Sequence, residues 1–291
     1  NRRLTGLPSD QTFSVTSKDA KFVAKLLNLD TPLYLTAPHD NFKWKGKNCI
    51  VNSHNVPFPD DGFVYMTYDN YDIYIASPEL SFLQAARSLD IIDLVKYGYD
   101  LCATYYPDSS NEFGQTNREP LTTTDSIRHF LEDNHRLYGG AKSRKSLKFV
   151  RDFSNSPVET KLAMFSVFSS SYGGGEMNDL EMNPAIDLTK EGIFLTGKKQ
   201  LRGDLLFCKR LVVDYNSNTA HLKPAQYTID MNRQTAIKLA GYDYVAITNG
   251  NISSYHSLID TMNSIRVLLG LEKLDPDNDA RRALYYRLFK D

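Results

Sequence analysis

The sequence predicts an α/β protein: a C-terminal mixed sheet flanked by helices, preceded by an N-terminal α+β domain. Three observations carry the prediction. Beyond about residue 150 the apolar segments come in the order helix, strands, helix, strand, helix, as a mixed sheet covered on both faces requires. Before that point, short runs rich in Tyr, Val, Thr and Ile, broken by Pro and Asp-containing turns, give way to helices with Ser-Pro starts. The chain's 291 residues, 41% hydrophobic and 24% charged, suffice for one large domain or two ordinary ones and exclude disorder throughout.

From about residue 12 to 75, TPLYLTAP and FVYMTYDNYDIYIASP read as strands, and SKDAKFVAKLL as an early helix with Ser17 as its N-cap. SPELSFLQAARSL is a helix for local reasons. Ser77 offers a side-chain oxygen to the free N–H groups of the first turn, Pro78 suits the first helical position, and Glu79 sits at the positive end of the dipole. IIDLVKYGYDLCATYY reads as the next helix, PDSSNEFGQTNREP as a mobile polar loop, and TTTDSIRHFLEDNHRL as helical again. GGAKSRKSLKFVRDF is a basic helix with Lys142, Arg144, Lys145, Lys148 and Arg151, and the domain boundary falls there, separating 1–150 from 151–291. A second Ser-Pro start, at Ser156, opens the apolar helix SPVETKLAMFSVFSS.

SSSYGGGEMNDLEMNPAIDLTKEG reads as a long polar connection. After it come the strands RGDLLFC and KRLVVDY, a loop through His221, the helix YTIDMNRQTAIKLAG, the strand YDYVAITNG, and a helix from about Ser253 to Leu269. The charged tail LDPDNDARRALYYRLFKD reads as a helical docking segment.

Several function classes are excluded early. A formal net charge of −1 rules out polyanion binding by bulk charge and leaves only local basic patches. Cys49, Cys102 and Cys208 are far apart and lack CxxC spacing, which points to reduced thiols in a cytoplasmic protein and no zinc site. NRRLTGLPSDQTF has no apolar signal region, and no run reaches about 18 apolar residues, so no membrane association is expected. Beginning at Asn1 rather than Met, the chain reads as processed or trimmed. Walker A, GxGxxG, GxSxG and HExxH motifs are all missing.

Glu159, Asp204 and Asp214 stand out as a set. One lies on a helix, and the two aspartates end or interrupt neighbouring apolar strands, where two carboxylates can be aimed at one point. Mg2+ takes one or two carboxylates and keeps several waters, and such an ion serves phosphodiester hydrolysis by polarising a phosphoryl oxygen and acidifying a water. Each residue also has a plain structural reading. Glu159 completes a capping box with Ser156, Asp204 after Gly203 suits a turn, His221 suits a loop, and Asp230 and Arg233 make an i,i+3 surface pair.

Taken in order, SPVET, RGDLLF, LVVDYNS, His221 and IDMNRQTAIKLAGYDYVAIT resemble the Vsr-like endonucleases of the PD-(D/E)XK superfamily over about residues 156–270. The resemblance implies a restriction-endonuclease-like mixed sheet. It implies Asp204 and Asp214 as ligands to Mg2+ or Mn2+, Glu159 as the acid of the first core helix, and His221 near the scissile phosphate. Asp230 and Arg233 would brace the site, Arg233 meeting a phosphate. The pattern departs at three places: Asp214 stands where Glu is usual, Asn216 where an acid is usual, and the superfamily's lysine is missing, with Lys223 or Lys209 as substitutes.

YDIYIASPELSFLQAARSLDIIDLVKYGYDLCATYY is similar to a region of the AbiEi family of abortive-infection antitoxins, over about residues 20–150. Together the resemblances imply a metal-dependent nuclease acting on DNA more than RNA, in a bacterial defence or toxin–antitoxin setting with a cognate toxin or antitoxin as partner. The basic segment from Lys142 to Arg151 would follow a phosphate backbone, or form a solvated helix face. The alternative is a catalytically degenerate nuclease fold that binds nucleic acid or a protein, which the departures at Asp214 and Asn216 favour.

Overall fold

The computed structural model describes residues 2–3, 16–37, 44–53, 61–68, 71–111, 114–216 and 224–290, with Pro59. The fold is mixed α/β. Its N-terminal part begins with β1 (Arg2–Arg3), α1 (Ser17–Leu26), β2 (Leu33–Ala37), β3 (Trp44–Lys45) and β4 (Cys49–Ser53), where β4 pairs parallel to β2 and antiparallel to β3. The hairpin of β5 (Phe63–Tyr68) and β6 (Tyr71–Ala76) follows, with β1 on its edge. Next come α2 (Pro78–Ala85), α3 (Ile91–Cys102), a second hairpin of β7 (Tyr105–Pro107) and β8 (Gln115–Asn117), α4 (Thr124–Asp133), α5 (Gly140–Leu147) and α6 (Pro157–Val167).

The remaining elements are β9 (Leu180–Met182), β10 (Ala185–Asp187), α7 (Lys190–Thr196), β11 (Gln200–Arg202), β12 (Leu205–Phe207), β13 (Leu211–Asn216), α8 (Pro224–Leu239), β14 (Asp243–Thr248), α9 (Asn249–Ile252), α10 (Tyr255–Leu268) and α11 (Asp279–Phe289). Strands β9, β12 and β13 pair antiparallel in that order, with β10, α7 and β11 inserted between β9 and β12, and β14 joins β13 in parallel after the crossover through α8.

The two Ser-Pro starts form as their local chemistry requires. Ser77 Oγ accepts from Leu80 N at 3.2 Å, and Ser156 Oγ accepts from Glu159 N at 3.2 Å. Four expectations shift. The cap of α1 is Thr16, not Ser17, because Thr16 and Asp19 exchange reciprocal hydrogen bonds in a capping box. Helix α3 stops at Cys102, and Tyr105–Pro107 turns back as a strand against Gln115–Asn117, inside the stretch expected to be a loop. The polar segment after α6 holds β9 and β10. The basic helix ends at Leu147, which leaves Arg151 outside it.

One hydrophobic core runs from Phe63 to Leu288, so the division at 150/151 passes through it, with α3 packed on α6. Helix α6 is apolar nearly all round because it is central: Leu162 through Val167 are all buried. Helix α11 covers it with Leu284, Tyr285 and Leu288. Close approach explains the glycine run beside it. A Cβ on Gly173, which has φ +88°, would lie 2.3 Å from the Ala280 carbonyl oxygen, and one on Gly174 would lie 2.1 Å from that of Phe168. A separate small cluster joins Ala20, Cys49 and Val51.

Candidate active site

Strand β13 reads Leu-Val-Val-Asp, buried at all four positions, as a strand covered on both faces should be. Its alternation sorts the side chains. Leu211 and Val213 enter the main core, whereas Val212 packs with Leu206, Ala236 and Ile237 on the α8 side. Asp214 shares the parity of Val212 and therefore faces α8. Pairing of Leu205 with Val213 sets Asp204 opposite Asp214 on that same face. Asp214 thus lies within a buried strand, 3% exposed.

Three donors converge on Asp214. Arg233 Nε of α8 lies 2.9 Å and Tyr244 Oη of β14 lies 3.1 Å from Oδ2, and Asp204 N donates to Oδ1 at 3.1 Å. Arg233 also donates to the Arg202 carbonyl. Its ion pair is thus made with the sheet, 19 residues away in sequence, rather than at the helix surface. Burial alone would lower the Arg233 pKa, but the Asp214 charge and hydrogen bond leave it raised. Burial raises the Tyr244 pKa, and Asp214 adds to the effect.

Asp204 is half-buried, and its Oδ2 accepts from Tyr215 N at 2.7 Å. Burial, then the charges of Glu159 and Asp214, push its pKa up to about 7. Glu159 belongs to the same group. Burial raises its pKa against hydrogen bonds from Asn183, Asn155 and Ser156, and Asp214 raises it further. Its Oε1 accepts from Ser156 Oγ at 2.9 Å, and its Oε2 accepts from Asn155 N at 3.1 Å and Asn183 Nδ2 at 2.8 Å. The N–H that Glu159 holds is thus that of Asn155, one residue before the expected capping-box partner.

Asp204 and Asp214 thus face each other across adjacent strands with Arg233 on Asp214, and Glu159 lies within reach of their charges. Asp230 lies one turn before Arg233 on α8 and is half-buried. His221 and Lys223 lie outside the described residues. Lys209 is in the β12–β13 turn, about five residues along β13 from Asp214 and so roughly 16 Å away, too far to replace the missing lysine. Among the described residues, no group of three or more His, Cys, Asp or Glu side chains is arranged to hold a metal ion.

The basic segment is only partly a free cationic face. Lys142 Nζ donates to the Leu89 carbonyl, and Arg151 donates to the carbonyls of Leu180, Asn178, Lys148 and Val150. Lys145 Nζ sits 5.4 Å from the Tyr172 ring centre. Arg144 and Lys148 are exposed. Lys142 and Arg151 thus also tie separate parts of the chain together through backbone carbonyls.

A cleft of about 900 Å3 opens beside the acids, lined by Asn155 and Asn183 and by Arg118, Arg151, Phe153 and Arg202. Asn155, Asn183 and Tyr244 escaped sequence reasoning. Their roles depend on tertiary partners, and no local spacing signals them. The chain matches no family model, no curated protein and no solved structure.

Proposed function

We propose that the chain is a metal-dependent nuclease of the Vsr-like, PD-(D/E)XK type that hydrolyses phosphodiester bonds, in DNA more than RNA. The observation that carries the reading is the pairing of Asp204 with Asp214 across neighbouring strands beside Arg233, with Glu159 within electrostatic reach, in the chain order that the resemblance implies. Carboxylates set opposite one another in buried surroundings need a cation or a proton to balance them. Arg233 supplies one positive charge to Asp214, and burial, then the charges of Glu159 and Asp214, raise the Asp204 pKa.

Two carboxylates suit Mg2+ or Mn2+, which retain waters and accept substrate phosphate oxygens. Asp204 and Asp214 would hold the ion. Among the described residues only Oδ2 of Asp204 accepts a hydrogen bond, which leaves Oδ1 for a ligand. The ion, when bound, supplies Lewis acidity and a more acidic water. Glu159, fixed by Asn155, Asn183 and Ser156, sets the negative field at the site. Arg233 has a planar donor fork that fits a phosphate, and transfer of that fork from Asp214 to the substrate would couple binding to the freeing of Asp214. A bacterial defence or toxin–antitoxin role, with a cognate partner protein, follows from the AbiEi-like N-terminal stretch.

A second reading is favoured by a specific observation: Arg233 and Tyr244 already occupy Asp214 Oδ2. A degenerate site of this kind would keep the fold for binding. Cleavage of plasmid DNA, single-stranded DNA and RNA in Mg2+, Mn2+ or EDTA separates the two, with Mn2+ titration calorimetry alongside. Nuclease function predicts metal-dependent cleavage lost in Asp204→Asn and Asp214→Asn, and Mn2+ binding weakened in both. Binding without cleavage in any metal would overturn it.

A further inference from the structure

The cleft beside the acids carries a feature that neither the metal reading nor packing uses. Phe153 lines it with φ +67° and is 46% exposed. A left-handed backbone at an aromatic residue costs conformational energy and persists only where its surroundings impose it. They do so here. Asp152 accepts from Thr124 N and Oγ1 at 2.7 Å each, Ser154 Oγ is 2.7 Å from Thr160 Oγ1, Phe153 N donates to the Cys102 carbonyl at 3.0 Å, and Asn183 Nδ2 donates to the Phe153 carbonyl at 2.8 Å. Both neighbours are anchored, and the ring between them is turned out. The same Asn183 amide holds Glu159, so the ring and the acid share one brace.

We propose that Phe153 is a stacking platform for an unpaired base, and that the cleft seats a single-stranded nucleic-acid segment beside Asp204 and Asp214. This rests on the nuclease reading and names its substrate class. An exposed ring can stack only on a base whose face is open, and a duplex has both faces of its inner bases covered. Arg118, Arg151 and Arg202 supply the positive charge. The Arg202 side chain is exposed and has no polar partner among the described residues, and Arg118 Nε is buried without a hydrogen bond. Asp152 is engaged at the start of α4, and Glu119 and Glu181 are exposed on the lining. Charge in the cleft is therefore nearly balanced, and the ring rather than bulk attraction carries recognition. With at most three phosphates neutralised, the salt slope for a single strand stays at or below about 2 in magnitude.

The test is fluorescence anisotropy in EDTA with labelled 12-nucleotide single-stranded DNA, the same sequence as RNA, and the DNA duplex. Both single strands should bind more tightly than the duplex, and the tighter of the two identifies the sugar preferred. Phe153→Ala should weaken single-strand binding by about 5- to 150-fold at a near-native melting midpoint, and Phe153→Tyr should restore it. Phe153→Gly, which relaxes the backbone, supplies a folded ring-less variant should Ala destabilise, and should show the same loss. Wild-type affinity in the ring-less variants, tighter duplex binding, or no single-strand binding would overturn the proposal. Ring-dependent binding without metal-dependent cleavage would sink the nuclease reading and leave this one standing.

Discussion

Arg233→Met tests the electrostatic logic of the site most directly, because the variant keeps an unbranched side chain and removes the charge. Arg233 Nε lies 2.9 Å from Asp214 Oδ2, with 29% of the arginine side chain and 4% of the aspartate exposed. Removing one partner of a buried pair costs about 3–5 kcal/mol, since the other charge stays buried and unbalanced. Partial exposure of Arg233 places this case at the lower end, about 3 kcal/mol, a substantial fraction of the roughly 5–15 kcal/mol that holds a domain folded. Urea denaturation measures the loss directly. The companion variant Asp214→Asn removes the charge that Arg233 balances, so Arg233→Met made on that background should cost about 1 kcal/mol or less, a coupling of about 2 kcal/mol. Mg2+ adds a second readout. A cation bound at Asp204 and Asp214 takes over the arginine's role and, at a hundredfold excess over its dissociation constant, returns about 2.7 kcal/mol. Additive costs in the cycle, or a single-variant loss below about 1 kcal/mol, would refute the pairing argument. No Mg2+ rescue would refute the metal ligation.

Three further outcomes follow from the geometry. Asp204 has a folded pKa of about 7 against an ordinary 3.8, so the native state binds the extra proton. Stability conferred by that proton is complete below about pH 4 and falls as pH rises to 7, by an amount on the order of 4 kcal/mol; Asp204→Asn should flatten the fall in melts from pH 4 to 8, and an unchanged profile would contradict the shift. Gly173→Ala places a Cβ 2.3 Å from the Ala280 carbonyl oxygen at φ +88°, and should destabilise by roughly 2 kcal/mol or more by chemical denaturation. Asn183→Ala removes the amide that donates to both the Phe153 carbonyl and Glu159 Oε2 at 2.8 Å; a loss of about 1–3 kcal/mol is expected by the same assay, with single-strand affinity falling as the Phe153 brace is lost.

Elements with local causes were legible in the sequence. Ser77 and Ser156 announce α2 and α6 through side-chain oxygens that reach backbone three residues on, and the apolar run of β13 announces a strand buried on both faces. Strand β9 was hidden because three residues, Leu180 to Met182, show only one cycle of alternation within a polar stretch, and its identity comes from pairing with β12. The β7–β8 hairpin was hidden for the same reason. In the site, the three acids and Arg233 were visible as residue types in order. The ion pair was not, because spacing favours Asp230 three residues away, whereas the partner that tertiary structure supplies lies on a strand. The basic segment shows the opposite: its cations are regular in sequence, but the carbonyls of Leu89 and Leu180 that Lys142 and Arg151 hold are distant in sequence, and no local spacing signals them.

The cover that α11 lays over α6 has a consequence in time. The residues of α6, Pro157–Val167, are made about 120 residues before those of Asp279–Phe289 that close over them, an interval of about 6–24 s at 5–20 residues per second. During it, the helix bearing Glu159 has an open apolar face and an incomplete seat. Vectorial synthesis thus delays assembly of the acid cluster until the last helix docks, so a nascent chain stalled before Asp279 carries the acids of the site without the scaffold that aims them.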